Sequence, residues 1–245
     1  MGYAQEKVMP YGEHTPKTGQ VRKMFDNIAP SYDALNHFLS LGIDRRWRRK
    51  AIDAVKGYKH DRVLDIATGT GDFAILLAQC LSPKEVVAAD ISEKMMEVGR
   101  EKIETLNLSS IVKFQKEDCE NLSFEAASFD LVAVAYGVRN FADLDRGLRE
   151  ILRVLREGGV ALILELCSPR SFPIKQLFQL YSRFVIPTAG RFISHDKRAY
   201  TYLPATIETF PQGEAMHDIL IHNGFSRVTF KRFTFGISTM YIAQK

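Results

Sequence analysis

The chain has 245 residues and a formal net charge of +4, with 46% hydrophobic and 25% charged residues. That balance excludes disorder and collagen-like repeats, and the length suits one large domain or one domain with an appendage. The mild basicity calls for no nucleic-acid partner, and no apolar stretch approaches the ~18 residues of a membrane span.

Residues at the N-terminus lack the apolar core of a signal peptide, so a cytoplasmic protein is expected. Cys80, Cys119 and Cys167, odd in number and widely spaced, read as free thiols of a reducing compartment. His217 and His222 are five apart, which is not ligand spacing on a helix, and no structural metal is expected.

In chain order, residues 1–20 are polar and carry Gly12, Gly19, Pro10 and Pro16, which predicts a tail that is mobile until something orders it. From Val21 to about Tyr58 an apolar pattern through Phe25, Ile28, Leu35, Phe38 and Leu39, broken at Pro30, predicts a helical cap. Thereafter short apolar runs alternate with helical stretches. Arg62–Ile66 precedes a glycine turn and a helix to about Cys80. Glu85–Asp90 precedes a helix Ser92–Leu106 with Ser92 as N-cap. Val112–Gln115 leads to a loop at Asp118, Phe129–Ala135 to a helix from about Asp143 to Leu155, and Val160–Leu166 follows Gly158–Gly159. Such alternation means βαβ units and a parallel sheet buried on both faces. After a helix near Gly213–His222, the runs Val228–Phe233 and Ile237–Ala243 are too close for a crossover helix and should pair as an antiparallel hairpin at the sheet edge. The expected fold is therefore α/β, doubly wound and Rossmann-like, with a mostly parallel seven-stranded sheet. It divides into a tail and cap at 1–58 and a main domain at 59–245, together one structural unit. The segment 168–211 interrupts the alternation. Phe172, Ile174, Leu177, Phe178, Tyr181, Phe184 and Val185, mostly three or four apart, predict one amphipathic helix stopped by Pro187. Above the carboxyl ends of the strands, such an insertion suits a substrate site.

The sharpest local signal is Val63 to Asp72 (VLDIATGTGD), a strand ending in an acid and passing through a glycine turn into a helix. Gly69 and Gly71 allow close approach of a ligand, with Thr70 between them a further cofactor-binding candidate, and the helix start offers free N–H groups. Read literally, Gly69 to Ala74 also fits the dinucleotide fingerprint G-x-G-x-x-A. Asp90, closing the second strand, can accept from both hydroxyls of an adenosine ribose in either cofactor. Asp65 discriminates: a carboxylate there suits the cationic amino-acid and sulfonium end of S-adenosylmethionine and repels a pyrophosphate. Asp118 and Cys119, after the third strand, are placed to meet an adenine. Taken alone each carboxylate reads as a helix cap or a solvated charge; three at strand ends point to a site.

These segments resemble the nucleotide-binding motifs of class I S-adenosylmethionine-dependent methyltransferases. FDNIAPSYD (Phe25–Asp33), Tyr136-Gly137-Val138-Arg139-Asn140, Arg153–Leu166 and Ala199–Pro211 resemble, more narrowly, the ubiquinone/menaquinone biosynthesis C-methyltransferase family. The chain departs from that pattern at Asp44, where the family usually has His, and at Arg156-Glu157, where it has Lys-Pro. Cys167 replaces Ser, and Ala67 replaces the first glycine of the cofactor loop. The resemblance implies C-methylation of a polyprenylated hydroquinone, most simply demethylmenaquinol to menaquinol, with a dual role on a benzoquinol ubiquinone precursor as the alternative.

For that chemistry carbon and methyl must be held about 3–3.5 Å apart, and a phenolic proton must leave. Candidates are Arg139 as a fixed positive charge beside a phenolate, Tyr32 closing over the cofactor, and Asp72 taking a proton through a water. A prenylated substrate implies work at a membrane surface. Lys175, Arg183, Arg191, Lys197 and Arg198, with Arg45, Arg46, Arg48, Arg49 and Lys50, suit an anionic one, although a basic run by itself reads as a solvated face. A peripheral position on the inner face of the cell membrane is thus expected, without a nucleic-acid partner, and a homodimer is compatible with the sequence. The rivals are an NAD(P)-dependent reductase, disfavoured by Asp65; an RNA methyltransferase, disfavoured by the modest charge; and a silent cofactor-binding scaffold.

Overall fold

The computed structural model describes residues 2–12, 14–186, 188 and 198–245, and for His37 and Phe38 the backbone alone. Seven strands form one sheet in the order β3-β2-β1-β4-β5-β7-β6. They are β1 (Arg62–Ile66), β2 (Glu85–Asp90), β3 (Val112–Lys116), β4 (Phe129–Ala135), β5 (Leu155–Leu166), β6 (Arg227–Phe233) and β7 (Ser238–Gln244). β1 pairs in parallel with β2 and β4, and β2 with β3. β7 runs antiparallel between β5 and β6, so the expected edge hairpin is present. The helices are α1 (Lys17–Ile28), α2 (Tyr32–Ser40), α3 (Ile43–Val55), α4 (Asp72–Leu81), α5 (Glu93–Thr105), α6 (Leu144–Val154), α7 (Ile174–Leu180), α8 (Ala199–Thr209) and α9 (Glu214–His222).

The central strands are largely apolar because both faces are covered. Alternate residues divide between two cores: Leu64, Val87 and Val132 pack with α6 and α9, and Val63, Val86 and Leu131 with α3 and α4. The strand order reverses at β1, whose neighbours β2 and β4 lead away on opposite sides. The crevice above such a switch point is where an open α/β sheet binds ligands. Ser92 caps α5 as expected, its Oγ accepting from Met95 N at 3.3 Å. The three cysteines are unbonded. Burial pushes the Cys167 thiol up to about 12, so it is inert as a nucleophile at neutral pH.

Three expectations need correction. The N-terminal tail is ordered: Ala4–Lys7 forms a 3-10 turn laid on the start of α6. Glu6 accepts from Leu144 N at 2.9 Å, Tyr3 donates to Asp145 at 2.9 Å, and buried Lys17 donates to Gln5 O at 2.6 Å and Phe141 O at 3.2 Å. Composition carries no sign of this because Tyr3, Glu6 and Lys17 reach Asp145, Leu144 and Phe141, over a hundred positions away. The insertion's helix is present but not regular: helical backbone runs from Ile174 through Ile186 with a change of pitch inside it. α7 ends at Leu180, a wider π turn covers Tyr181–Val185, and α8 follows later, with Pro204 inside it. Pro187, the expected stop, lies outside the described residues, as do Arg191 and Lys197. Third, the run Arg45–Lys50 is not uniformly solvated, because Arg48 turns inward and is buried.

The cap and the insertion share a third core. Val21, Met24, Ile28 and Leu35 of the cap pack with Ile186, Ala199, Tyr200 and Tyr202. Tyr181 donates to Leu39 O at 2.5 Å. Segments some 160 positions apart thus close one roof over the switch point.

Candidate active site

The turn after β1 begins with Ala67 at φ 52°, followed by Gly69 at 59° and Gly71 at 79°, all left-handed. Ala67 therefore keeps the conformation of the glycine it replaces. Its methyl group is accommodated because the neighbour is Gly137, where an added Cβ would lie 2.6 Å from that of Ala67. Gly69 N–H donates to Asp90 at 2.8 Å, and Ser92 N–H donates to the other Asp90 oxygen at 2.8 Å. Burial nonetheless raises the Asp90 carboxyl to about 6.

Above this turn lies a cleft of about 740 Å³ lined by Gly69, Asp90, Ile91, Asp118 and Cys119, with Phe25 and Tyr32 from the cap. Four of the seven residues expected to bind the cofactor line it. The other three, Asp65, Thr70 and Gly71, do not. Asp65 is fully buried at the end of β1. Thr68 Oγ1 donates to one of its oxygens at 2.5 Å, and the other has no partner. Burial pushes its carboxyl up to about 7, against the opposing pull of Thr68 and nearby Arg48. Thr70 instead donates to Asp33 at 2.6 Å. Lys102 donates to Thr70 at 3.1 Å, pairs with Asp72 at 2.7 Å and also contacts Asp33. Thr70 and Asp72 thus fasten α2 to the turn, and Asp72 lines neither this cleft nor the cavity beside it.

That second cavity, about 1040 Å³ and largely apolar, lies between the cap and the insertion. Met24, Ile28, Trp47, Phe178, Ile186 and Ile207 supply apolar wall, and Arg48, Arg139 and Tyr202 supply polar atoms. Phe25, Tyr32, Tyr136 and Asn140 border both cavities. Tyr136 has φ 63° while its N–H still bonds Leu164 O at 2.7 Å. Backbone strain in a bulky residue at the strand end is characteristic of functional sites. Arg139 is buried and pairs with Glu165 at 2.7 Å, with its Nη1 also donating to Tyr136 O. Arg139 N–H and Leu166 N–H donate to Glu165 at 3.1 Å and 2.8 Å. Burial raises Tyr32, and this outweighs the opposing influence of Arg139 and Arg48, so Tyr32 stays protonated at neutral pH.

Sequence reasoning passed over Glu165, Tyr202 and the cavity role of Arg48. An acid inside an otherwise apolar strand, VALILEL, is the one signal that could have found Glu165. Nothing local marks Tyr202 or Arg48.

The arrangement fits S-adenosylmethionine. The Asp65 oxygen is an orphaned buried acceptor under the turn, Asp90 stands on the cleft wall for ribose hydroxyls, and Asp118 and Cys119 form the far end. Among the described residues no cluster of His, Cys, Asp and Glu could hold a metal ion.

Solved structures share the fold. A SAM-dependent methyltransferase of Thermotoga maritima superposes with a TM-score of 0.62 at 21% identity, covering 91% of this chain and 99% of that one. The cyclase SpnF gives 0.63 at 17% identity, over 94% and 97%. Fold and cleft together define a class I S-adenosylmethionine-dependent methyltransferase. Residues 13–245 match the ubiE/COQ5 methyltransferase family, and the chain belongs to it. A demethylmenaquinone methyltransferase of Bacteroides fragilis is 55% identical over the full length of both chains. One of Porphyromonas gingivalis is 44% identical over 98% of each. A ubiquinone/menaquinone biosynthesis C-methyltransferase UbiE of Geobacter sulfurreducens is 40% identical over 94% of this chain and 90% of its own.

Proposed function

We propose that the protein C-methylates a polyprenylated hydroquinone, demethylmenaquinol, to form menaquinol. The observation that carries this reading is the shared wall: the cleft suited to the cofactor meets a more strongly apolar cavity at Tyr32, Tyr136 and Asn140. An apolar, aromatic-lined space with few polar atoms suits a hydroquinone ring and the start of its prenyl tail. The names of the relatives above support the same substrate.

When bound, S-adenosylmethionine supplies a methyl group activated by its sulfonium. The chain supplies position, charge and dryness. Arg139, held by Glu165, stands on the cavity wall as a fixed donor that stabilises phenolate character on the ring oxygen, making the adjacent carbon nucleophilic. The phenolic proton, and the proton the methylated carbon loses as the ring becomes aromatic again, pass to solvent at the mouth of the cleft. Tyr32, kept protonated, donates a hydrogen bond and closes the junction. Asp72, engaged by Lys102, braces α2 and takes no proton in this reading. The roof built from cap and insertion excludes water.

The test is an anaerobic competition in detergent between short-chain demethylmenaquinol and the demethylated benzoquinol, read by mass spectrometry. Ring methylation of the naphthoquinol alone is the expected outcome, and methylation of both shifts the reading to the dual-pathway alternative. If neither gains a methyl group while S-adenosylhomocysteine still binds, the substrate assignment falls.

Apolar side chains cluster near the cavity in sequence. Leu177, Leu180 and Phe184 are 59%, 56% and 59% exposed, and Leu41 and Phe235 are 89% and 76% exposed. Each lies within two residues of a cavity-lining neighbour: Phe178, Tyr181, Ile186, Ser40 or Ile237. Such a rim suits contact with a bilayer that holds the acceptor's tail, and exposed Lys175 and Arg183 suit anionic headgroups. Among the described residues no helix is long and apolar enough to cross a membrane. The protein is expected to float with vesicles containing phosphatidylglycerol, and Leu177→Ser with Phe184→Ser should weaken that binding at least about tenfold. Unchanged flotation of the double variant would remove the rim from the proposal.

A further inference from the structure

Arg48 has no assigned part in the transfer, yet it is a buried cation in the wall of the acceptor cavity. Its Nη1 pairs with Asp44 at 2.5 Å, and Ser40 Oγ donates to the other Asp44 oxygen at 2.6 Å. The guanidinium lies over the Tyr136 ring, 5.2 Å from its centroid, with Asp72 at 3.7 Å on the α4 side. Its Nε is buried and has no hydrogen-bond partner. Arg139 repeats the pattern in the same cavity: Nη1 is taken by Glu165, and Nε is buried without a partner. Tyr32, between the cavities, is within electrostatic reach of both guanidiniums.

We propose that Arg48, oriented by Asp44, binds the second ring oxygen of the acceptor, the hydroxyl beside the prenyl tail, while Arg139 serves the hydroxyl beside the carbon to be methylated. The assignment rests on the hydroquinone reading above. An unpartnered buried N–H is unfavourable in an empty site and becomes a recognition element when a ligand oxygen meets it. A hydroquinone carries two oxygens at opposite ends of the ring, so one donor for each fixes the ring's rotation in its plane. That rotation decides which ring carbon faces the methyl group. Because each guanidinium is already neutralised by a buried carboxylate, the cavity offers directed donors without a net charge that an apolar acceptor would have to desolvate. Asp44 is a positioning residue, acting through Arg48.

The experiment compares two short-tailed acceptors anaerobically in the presence of S-adenosylhomocysteine: the 1,4-naphthalenediol, and the mono-ol lacking the hydroxyl beside the tail. Trp47, the chain's single tryptophan, lines the cavity and reports binding by fluorescence. The parent protein is expected to bind the diol about tenfold or more tightly than the mono-ol. Arg48→Met should reduce that preference to less than about threefold while leaving S-adenosylhomocysteine affinity unchanged. Arg48→Lys, which keeps the charge beside Asp44 and protects folding but lacks the forked donor set, should lose the preference as well. A preference retained in Arg48→Lys overturns the proposal. So does equal weakening of both acceptors in Arg48→Met, the mark of a merely structural brace. A parent protein that methylates the diol yet binds both acceptors alike overturns the Arg48 role alone. If it binds neither acceptor while retaining S-adenosylhomocysteine, the hydroquinone reading falls and this proposal with it.

Discussion

Changing Arg139 and Glu165 together to Gln is expected to leave a folded protein that binds S-adenosylhomocysteine normally but transfers methyl groups about 100- to 1,000-fold more slowly, the cost of removing one preorganised electrostatic donor. The paired change matters because Glu165 is fully buried, with Arg139 as its ion-pair partner at 2.7 Å. Arg139→Gln alone leaves a carboxylate uncompensated in the interior, which costs about 3–5 kcal/mol and confounds activity with folding. Neutral amides at both positions remove that penalty and keep hydrogen-bonding groups near Tyr136 O and the Leu166 and Arg139 amides, where the native pair makes its bonds. Thermal melts should therefore show the single variant well below the double, while turnover is low in both. Near-normal turnover by a double variant that still binds cofactor would remove Arg139 from the chemistry.

The second large effect is on pH. In the ligand-free protein Asp65 and Asp90 bind protons with values near 7 and 6, against 3.8 for an ordinary aspartate. The folded state thus holds protons that the unfolded chain has released, and between about pH 4 and pH 7 stability falls as pH rises. Three units on Asp65 correspond to about 4 kcal/mol at most. A cationic amino-acid end bound near Asp65 favours its carboxylate, so cofactor binding releases a proton and strengthens across the same window. The melting temperature of the ligand-free protein should fall between about pH 5 and pH 7, and S-adenosylhomocysteine should raise it more at the upper end. Asp65→Asn should flatten most of the slope and weaken cofactor binding. A slope unchanged in that variant would show that Asp65 titrates in its ordinary range.

The strand ladder was legible because its signal is local. β2 and β4 fall where their apolar runs fall, and Ser92 caps α5 where a short polar side chain precedes a helical run. Asp90 lines the cleft because it ends β2 at the carboxyl edge of the sheet, and Asp118 and Cys119 line it from the loop just past Lys116, where β3 ends. α8 was not legible. Pro204 weakens a helical pattern, and the helix forms because Tyr200 and Tyr202 are buried against the cap. The insertion misled because its apolar residues serve two surroundings, Phe178 and Tyr181 facing the cavity while Leu177 and Leu180 stay exposed, so their spacing suggests a single face that does not exist.

By itself the sequence determined the α/β class, the cofactor turn and the family pattern, because hydrophobic period, turn chemistry and strand-end acids are carried by neighbouring residues. Only the tertiary structure decided which charges turn inward to line a cavity and which pair elsewhere or stay in solvent. Arg48, one of five basic residues within Arg45–Lys50, turns inward because it shares with Asp44 the face of α3 that packs toward the cavity, whereas Arg45, Arg46, Arg49 and Lys50 stay exposed. Thr70 and Asp72, inside the cofactor motif, are drawn instead to Asp33 and Lys102. Burial and pairing are set by segments far apart in the chain, and the free energy of a charged side chain depends on those surroundings more than on its neighbours in sequence.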